Sequence, residues 1–124
     1  KIMKDINNEV FDKFKCAKIF DCMNPYFDLD PMWNFTFLRM KEQYFNDSLR
    51  SKGYVLLNEV YEALGFEKVD EFENIGWIYR EKYREKDPIG DNFIDFGLHN
   101  NPYITCDADK IILLEFNVDG VIRF

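Results

Sequence analysis

The sequence predicts an α+β fold, with N-terminal helices packed on a small antiparallel sheet that finishes in a C-terminal hairpin. Three observations predict it. Apolar residues recur at threes and fours through the first part of the chain, and after the acidic loop "EKVDEFEN" they switch to short runs and alternation. The final stretch "IILLEFNVDGVIRF" places two apolar segments on either side of a turn. No shift in composition marks a boundary, so residues 1–124 read as one domain, 1–50 mainly helical and 54–124 a strand–helix unit followed by antiparallel strands.

Taken in order, Ile6, Val10, Phe11, Phe14 and Ala17 line one side of a helix predicted from Asp5 to Cys22. "NPYFDLDP" interrupts it, because a residue that precedes proline is pushed away from helical dihedrals. A second helix is predicted from Pro31 to Leu49 through Met32, Phe35, Leu38, Met40, Phe45 and Leu49, with Lys41, Glu42, Asn46 and Asp47 on its wet side. "SKGYVLLNEVYEALGF" then reads as a strand, Tyr54 to Leu57, turning into a short helix. Asn58 is its predicted cap, Glu59 suits the positive end of its dipole, and Gly65 is its left-handed stop.

Further strands are predicted at "IGWIYRE", where Trp77 is the bulky anchor, and at "FIDFGL", which alternates with period two. "DPIGDN" is dense in turn formers, and Val118-Asp119-Gly120 is the turn of the terminal hairpin. The echo "REKY" and "REKD", Arg80 to Asp87, reads as a solvated charged protrusion.

At 124 residues, with 13 Phe, 7 Tyr and 2 Trp, the chain can bury a sizeable core without a metal or disulfide staple. Its net charge of -7 opposes phosphate backbones, so nucleic acid is not the expected partner; a basic protein surface is. Cys16, Cys22 and Cys106 are odd in number and lack CxxC spacing, which fits buried free thiols in a reducing cytoplasm and not a zinc site. The apolar runs are too short to span a bilayer, and no phosphate-cradling GxGxxG or GxxxxGK[ST] occurs.

"EQYFNDSLRSKGYVLLNEVYEALGF", "GWIY", "PIGDNFIDFGL" and "ILLEFNVDGVI" together resemble an uncharacterised family of small proteins from phages and integrative elements of Firmicutes, over roughly residues 41–124. The loop before "GWIY" departs from that pattern: relatives carry Pro-Arg-Thr and a glycine where this chain has Glu67, Lys68, Val69 and Phe72. The segment between Tyr79 and Pro88 is also a few residues longer. The resemblance implies a mobile-element origin and a bacterial cytoplasm, and it brings no known activity.

No nucleophile, base and orienting group stand at a recognisable spacing, so the expected function is non-enzymatic, with no catalytic residues, no cofactor and no metal. "DEFENIGW" offers a partner-binding surface instead: Asp70, Glu71 and Glu73 beside the rings of Phe72 and Trp77. Two alternatives stand beside it. Asp91, Asp95 and His99, the only histidine, are the participants expected in a divalent-metal hydrolase, with Asp107 and Asp109 as further carboxylates. Self-association through an edge strand at Val121 to Phe124 is the structural reading.

Overall fold

A computed structural model describes residues 13–79, 91–100 and 111–122. Two α-helices and five short strands lie in these residues: β1 (Lys18–Phe20), α1 (Pro31–Lys52), β2 (Tyr54–Leu56), α2 (Leu57–Ala63), β3 (Ile75–Ile78), β4 (Ile112–Leu114) and β5 (Gly120–Val121). All pairing is antiparallel: β1 with β4 in one sheet, and β2, β3 and β5 in that order in the other. The class is α+β, as the switch from helical to strand periodicity predicts.

Helix α1 dominates the molecule, and its ends follow from local chemistry. Asp30 caps it by accepting the Met32 N–H at 3.0 Å, and Pro31 sits where no helical N–H partner exists. Gly53, at φ 95°, closes it by donating its N–H to the Leu49 carbonyl at 2.8 Å. Between them Phe37, Leu38, Phe45 and Leu49 turn inward, and the helix packs on β2. Trp77, Tyr61, Phe20 and Phe96 are the largest fully buried rings, joined by Leu57, Val60 and Leu64 from α2 and its C-terminus.

Four expectations need correction. The helix predicted from Asp5 to Cys22 is, in its described part, a 3-10 turn (Lys13–Cys16) followed by β1. Phe20 is buried and Ile19 exposed there, so alternation across a strand competed with the helical spacing, and pairing with the distant β4 decided it. Asn58 does not cap α2. Its side chain clamps Val69, while the Glu59 carboxylate accepts the Leu56 N–H at 3.2 Å. "FIDFGL" forms no ladder strand; side chains hold it together with two backbone bonds, the Glu115 N–H to the Phe96 carbonyl at 3.0 Å and the Asn117 N–H to the Asp95 carbonyl at 3.2 Å, although Ile94 and Phe96 are buried with Phe93 outside. In the terminal stretch β4 and β5 pair with β1 and β3 and not with each other. The Gly65 stop is observed at φ 93°. The "REKYREK" stretch lies outside the described residues.

Asparagine amides replace much of the missing ladder. The Asn34 Oδ1 accepts the Asp28 N–H and its Nδ2 donates to the Asp28 carbonyl, both at 2.8 Å, fixing the connector before α1. Asn58 grips Val69 in the same two-point way, at 2.9 and 3.0 Å. Asn24 donates to the Leu64 carbonyl at 2.8 Å and accepts the Tyr26 N–H at 2.8 Å, tying the connector to the end of α2. An amide offers both a donor and an acceptor, so one asparagine can stand in for a neighbouring strand.

Candidate functional site

Residues 91–99 cross the molecule between α1 and the β4–β5 connection, and two asparagines hold them from opposite sides. On one side the Asn117 Oδ1 accepts the indole N–H of Trp77 at 2.8 Å and the Asp95 N–H at 2.7 Å. Its Nδ2 donates to Asp91 Oδ2 at 2.9 Å and to the Phe93 carbonyl at 3.0 Å. On the other, Asn46 of α1 accepts the Ile94 N–H at 2.7 Å and donates to the Ile94 carbonyl at 2.9 Å. Glu42, one turn earlier, accepts the Phe96 N–H at 2.9 Å. Every one of these side chains lies within the strings that carry the family resemblance, and each is spent on the backbone of "NFIDFG" or on its neighbours.

This seam gathers Asp91, Asp95 and His99, the participants of the hydrolase alternative, into one segment. Asp95 Oδ1 accepts the Gly97 N–H at 2.7 Å and lies 3.9 Å from His99 Nδ1, while His99 itself is largely exposed. Among the described residues no three His, Cys, Asp or Glu side chains converge as a metal-holding group; Asp107, Asp109 and Cys106 lie outside the described residues. Of the described cysteines, Cys16 is buried and Cys22 exposed, so the buried-thiol expectation fits Cys16 alone.

Glu42 is the seam's perturbed group. Burial pushes its carboxyl above the ordinary range, the Phe96 N–H opposes that, Asp95 adds to it, and Arg39 and His99 pull it back. A raised folded-state value means that folding favours the protonated form. This contribution is fully present below the ordinary carboxyl range and is lost as pH rises through the raised value. Glu42→Gln keeps an acceptor for the Phe96 N–H and removes the ionisation. Its urea midpoint relative to the wild type should therefore improve between pH 4 and pH 7; a relative fall would contradict this. Along the same helix Phe35, Arg39, Met40, Glu42, Gln43 and Asn46 line an open depression of about 690 Å³.

The predicted partner-binding residues divide. Asp70–Phe72 form a 3-10 turn, closed by the Phe72 N–H to the Val69 carbonyl at 2.9 Å and held to α2 by the Asn58 clamp on Val69. Asp70, Glu71 and Glu73 are exposed, and none forms an ion pair with a described residue. Phe72 turns its ring toward Tyr61, 6.4 Å between centroids, and packs against the core. Trp77 is 1% exposed, so its ring is a core anchor and is not offered to a partner.

Sequence reasoning placed Glu42 and Asn46 on a wet helix face and gave Asn117 no role. The only signal for Asn117 was a polar residue inside the apolar run "LLEFNV". No curated protein and no solved structure matches the chain. A family model described as "Family of unknown function (DUF6353)" matches residues 2–124. The match spans nearly the whole length, the described helices and strands included, and the chain therefore belongs to the DUF6353 family.

Proposed function

We propose that this chain is a non-enzymatic, protein-binding accessory domain of a phage or other mobile element, working in the cytoplasm of a bacterial host. Its acidic turn meets a basic surface on a nucleic-acid-handling defence enzyme, where carboxylates occupy positions meant for phosphates, as an anti-CRISPR protein would place them. The observation that carries the reading is the turn itself: Asp70, Glu71 and Glu73 are solvent-directed on backbone already fixed by Asn58 and Phe72. Preordering lowers the entropic cost of docking, and a chain of net charge -7 steers a basic partner toward it. The mobile-element origin is supported by the motif combination, and no helix among the described residues is long and apolar enough to cross a membrane.

The test compares the wild type with an Asp70→Asn/Glu71→Gln/Glu73→Gln variant, each immobilised and exposed to lysate of an element-carrying bacterial host. A partner held at low salt, released by a few hundred millimolar salt and retained at least tenfold less by the variant is the expected result. Equal retention, or no partner at all, overturns the assignment to this turn. Calorimetric titration with Mg²⁺, Mn²⁺ and Ca²⁺ addresses the hydrolase alternative: binding heat abolished by Asp95→Asn would favour that chemistry over the present reading. For the self-association alternative, β5 is an edge strand among the described residues with Val121 exposed, and its two-residue length there makes it a poor template for a second chain; Arg123 and Phe124 lie outside the described residues.

A further inference from the structure

Helix α1 carries an apolar stripe of which only Phe37 belongs to the core of the described residues. Trp33, Phe37, Met40 and Tyr44 are spaced four, three and four apart, which at 3.6 residues per turn confines them to a sector of about 60° along about 16 Å of helix. Phe37 lies beneath, while Trp33 is 45%, Met40 64% and Tyr44 62% exposed. At its N-terminal end the stripe broadens: Tyr26 stacks on the Phe37 ring at 5.1 Å and Trp33 leans on the same ring at 6.0 Å. Met32 and the connector residues Met23 and Leu29 are exposed too.

The connector at this end carries charge of one sign. From Asp21 to Asn34 the chain has three aspartates and neither lysine nor arginine. Asp21, Asp28 and Asp30 each accept one backbone N–H, those of Met23, Asp30 and Met32, which fixes where the carboxylates stand. Lys41 is the cation beside them, its ammonium 5.7 Å from the Phe37 ring.

We propose that the Trp33–Phe37–Met40–Tyr44 stripe, with Tyr26 beside it, docks a basic amphipathic helix of another protein, apolar side on the stripe and cationic residues toward Asp21, Asp28 and Asp30. Tryptophan, tyrosine and methionine are the residues that concentrate at interface cores, and methionine adapts its shape to what it meets. A helical stripe is the surface on which amphipathic helices dock through side chains three and four apart. Charge selects the occupant. A second copy brings another -7. Nucleic acid would bring phosphates to the same aspartates. This surface shares no residue with the Asp70–Glu73 turn, and the two proposals stand or fall apart.

The two tryptophans make the test direct, because Trp33 is open to solvent and Trp77 is enclosed. The probes are a synthetic amphipathic leucine–lysine helical peptide and its leucine–glutamate counterpart. Docking of the lysine peptide should shift tryptophan emission to the blue and lower acrylamide quenching at least twofold, with Trp33→Phe removing the response. Its Kd should be at least tenfold tighter than that of the glutamate peptide. Met40→Gln/Tyr44→Gln should weaken it tenfold. Asp21→Asn/Asp28→Asn/Asp30→Asn, which keeps the cap acceptors, should weaken it at least threefold. The neutralised Asp70–Glu73 variant should bind the lysine peptide as the wild type does. Equal affinity for the two peptides, unchanged quenching, a loss confined to the Asp70–Glu73 variant, or dimerisation of the chain alone by light scattering would each overturn the proposal.

Discussion

Asn117→Ala should destabilise the fold by about 3 kcal/mol, from two partly or fully enclosed donors that lose their acceptor at about 1–3 kcal/mol each. The Trp77 indole N–H and the Asp95 N–H both depend on Asn117 Oδ1, and neither has another acceptor within the network described. Asp91 and Phe93, the groups on its Nδ2 side, are nearer the surface, where water can replace the amide. Asn117→Asp keeps an acceptor for the indole but faces Asp91 and the Phe93 carbonyl with oxygen in place of nitrogen, so it should fall between alanine and the wild type. Urea denaturation followed by Trp77 emission reads both effects. A loss below about 0.5 kcal/mol for the alanine variant would show that 91–97 is held by other means, since ordinary surface substitutions have effects of that size.

The second large effect belongs to Gly76, in the middle strand of the three-stranded sheet. A Cβ there would run into the Val55 carbonyl oxygen and lie 2.9 Å from the Leu56 Cα, both backbone atoms of the paired strand. Neither can swing aside without breaking the register that sets Leu56 opposite Gly76. Gly76→Ala should cost about 3 kcal/mol or prevent folding, the upper end of the overpacking range. Gly120→Ala is the control. Nothing lies within 4 Å of its Cβ position, and its φ of 125° alone is strained, so it should cost about 1–2 kcal/mol. Equal midpoints for the two variants would mean that β2 yields to the added methyl and that the close strand approach does not set the need for glycine at position 76.

The legible parts of this fold were those decided by neighbours in sequence. The spacing of Phe35, Leu38, Phe45 and Leu49 was enough to place α1, and the Gly65 stop is a local matter of φ. What was not legible depended on distant partners. Residues 18–20 become a strand because 112–114 are there to pair with them, and the terminal stretch divides between two sheets for the same reason. "FIDFGL" has the alternation of a strand, yet its Ile94 and Phe96 N–H groups go to Asn46 and Glu42, 48 and 54 residues away, a choice that periodicity cannot register. At the candidate site the charges of Asp70, Glu71 and Glu73 could be read as exposed from their density, whereas Trp77 could not be assigned to the interior until its partner Asn117 was known. Trp33 and Tyr26, both partly open, carried no mark separating them from the rings that are buried.

The asparagine clamps give the irregular stretches an unusual mechanical status. Asp28, Val69 and Ile94 lie outside every helix and strand, yet each has both its peptide N–H and its carbonyl locked to an amide rooted in α1 or α2. Such loops borrow the stiffness of the helices that grip them, so they give way only when those helices do, and what looks like slack tubing behaves as part of the frame.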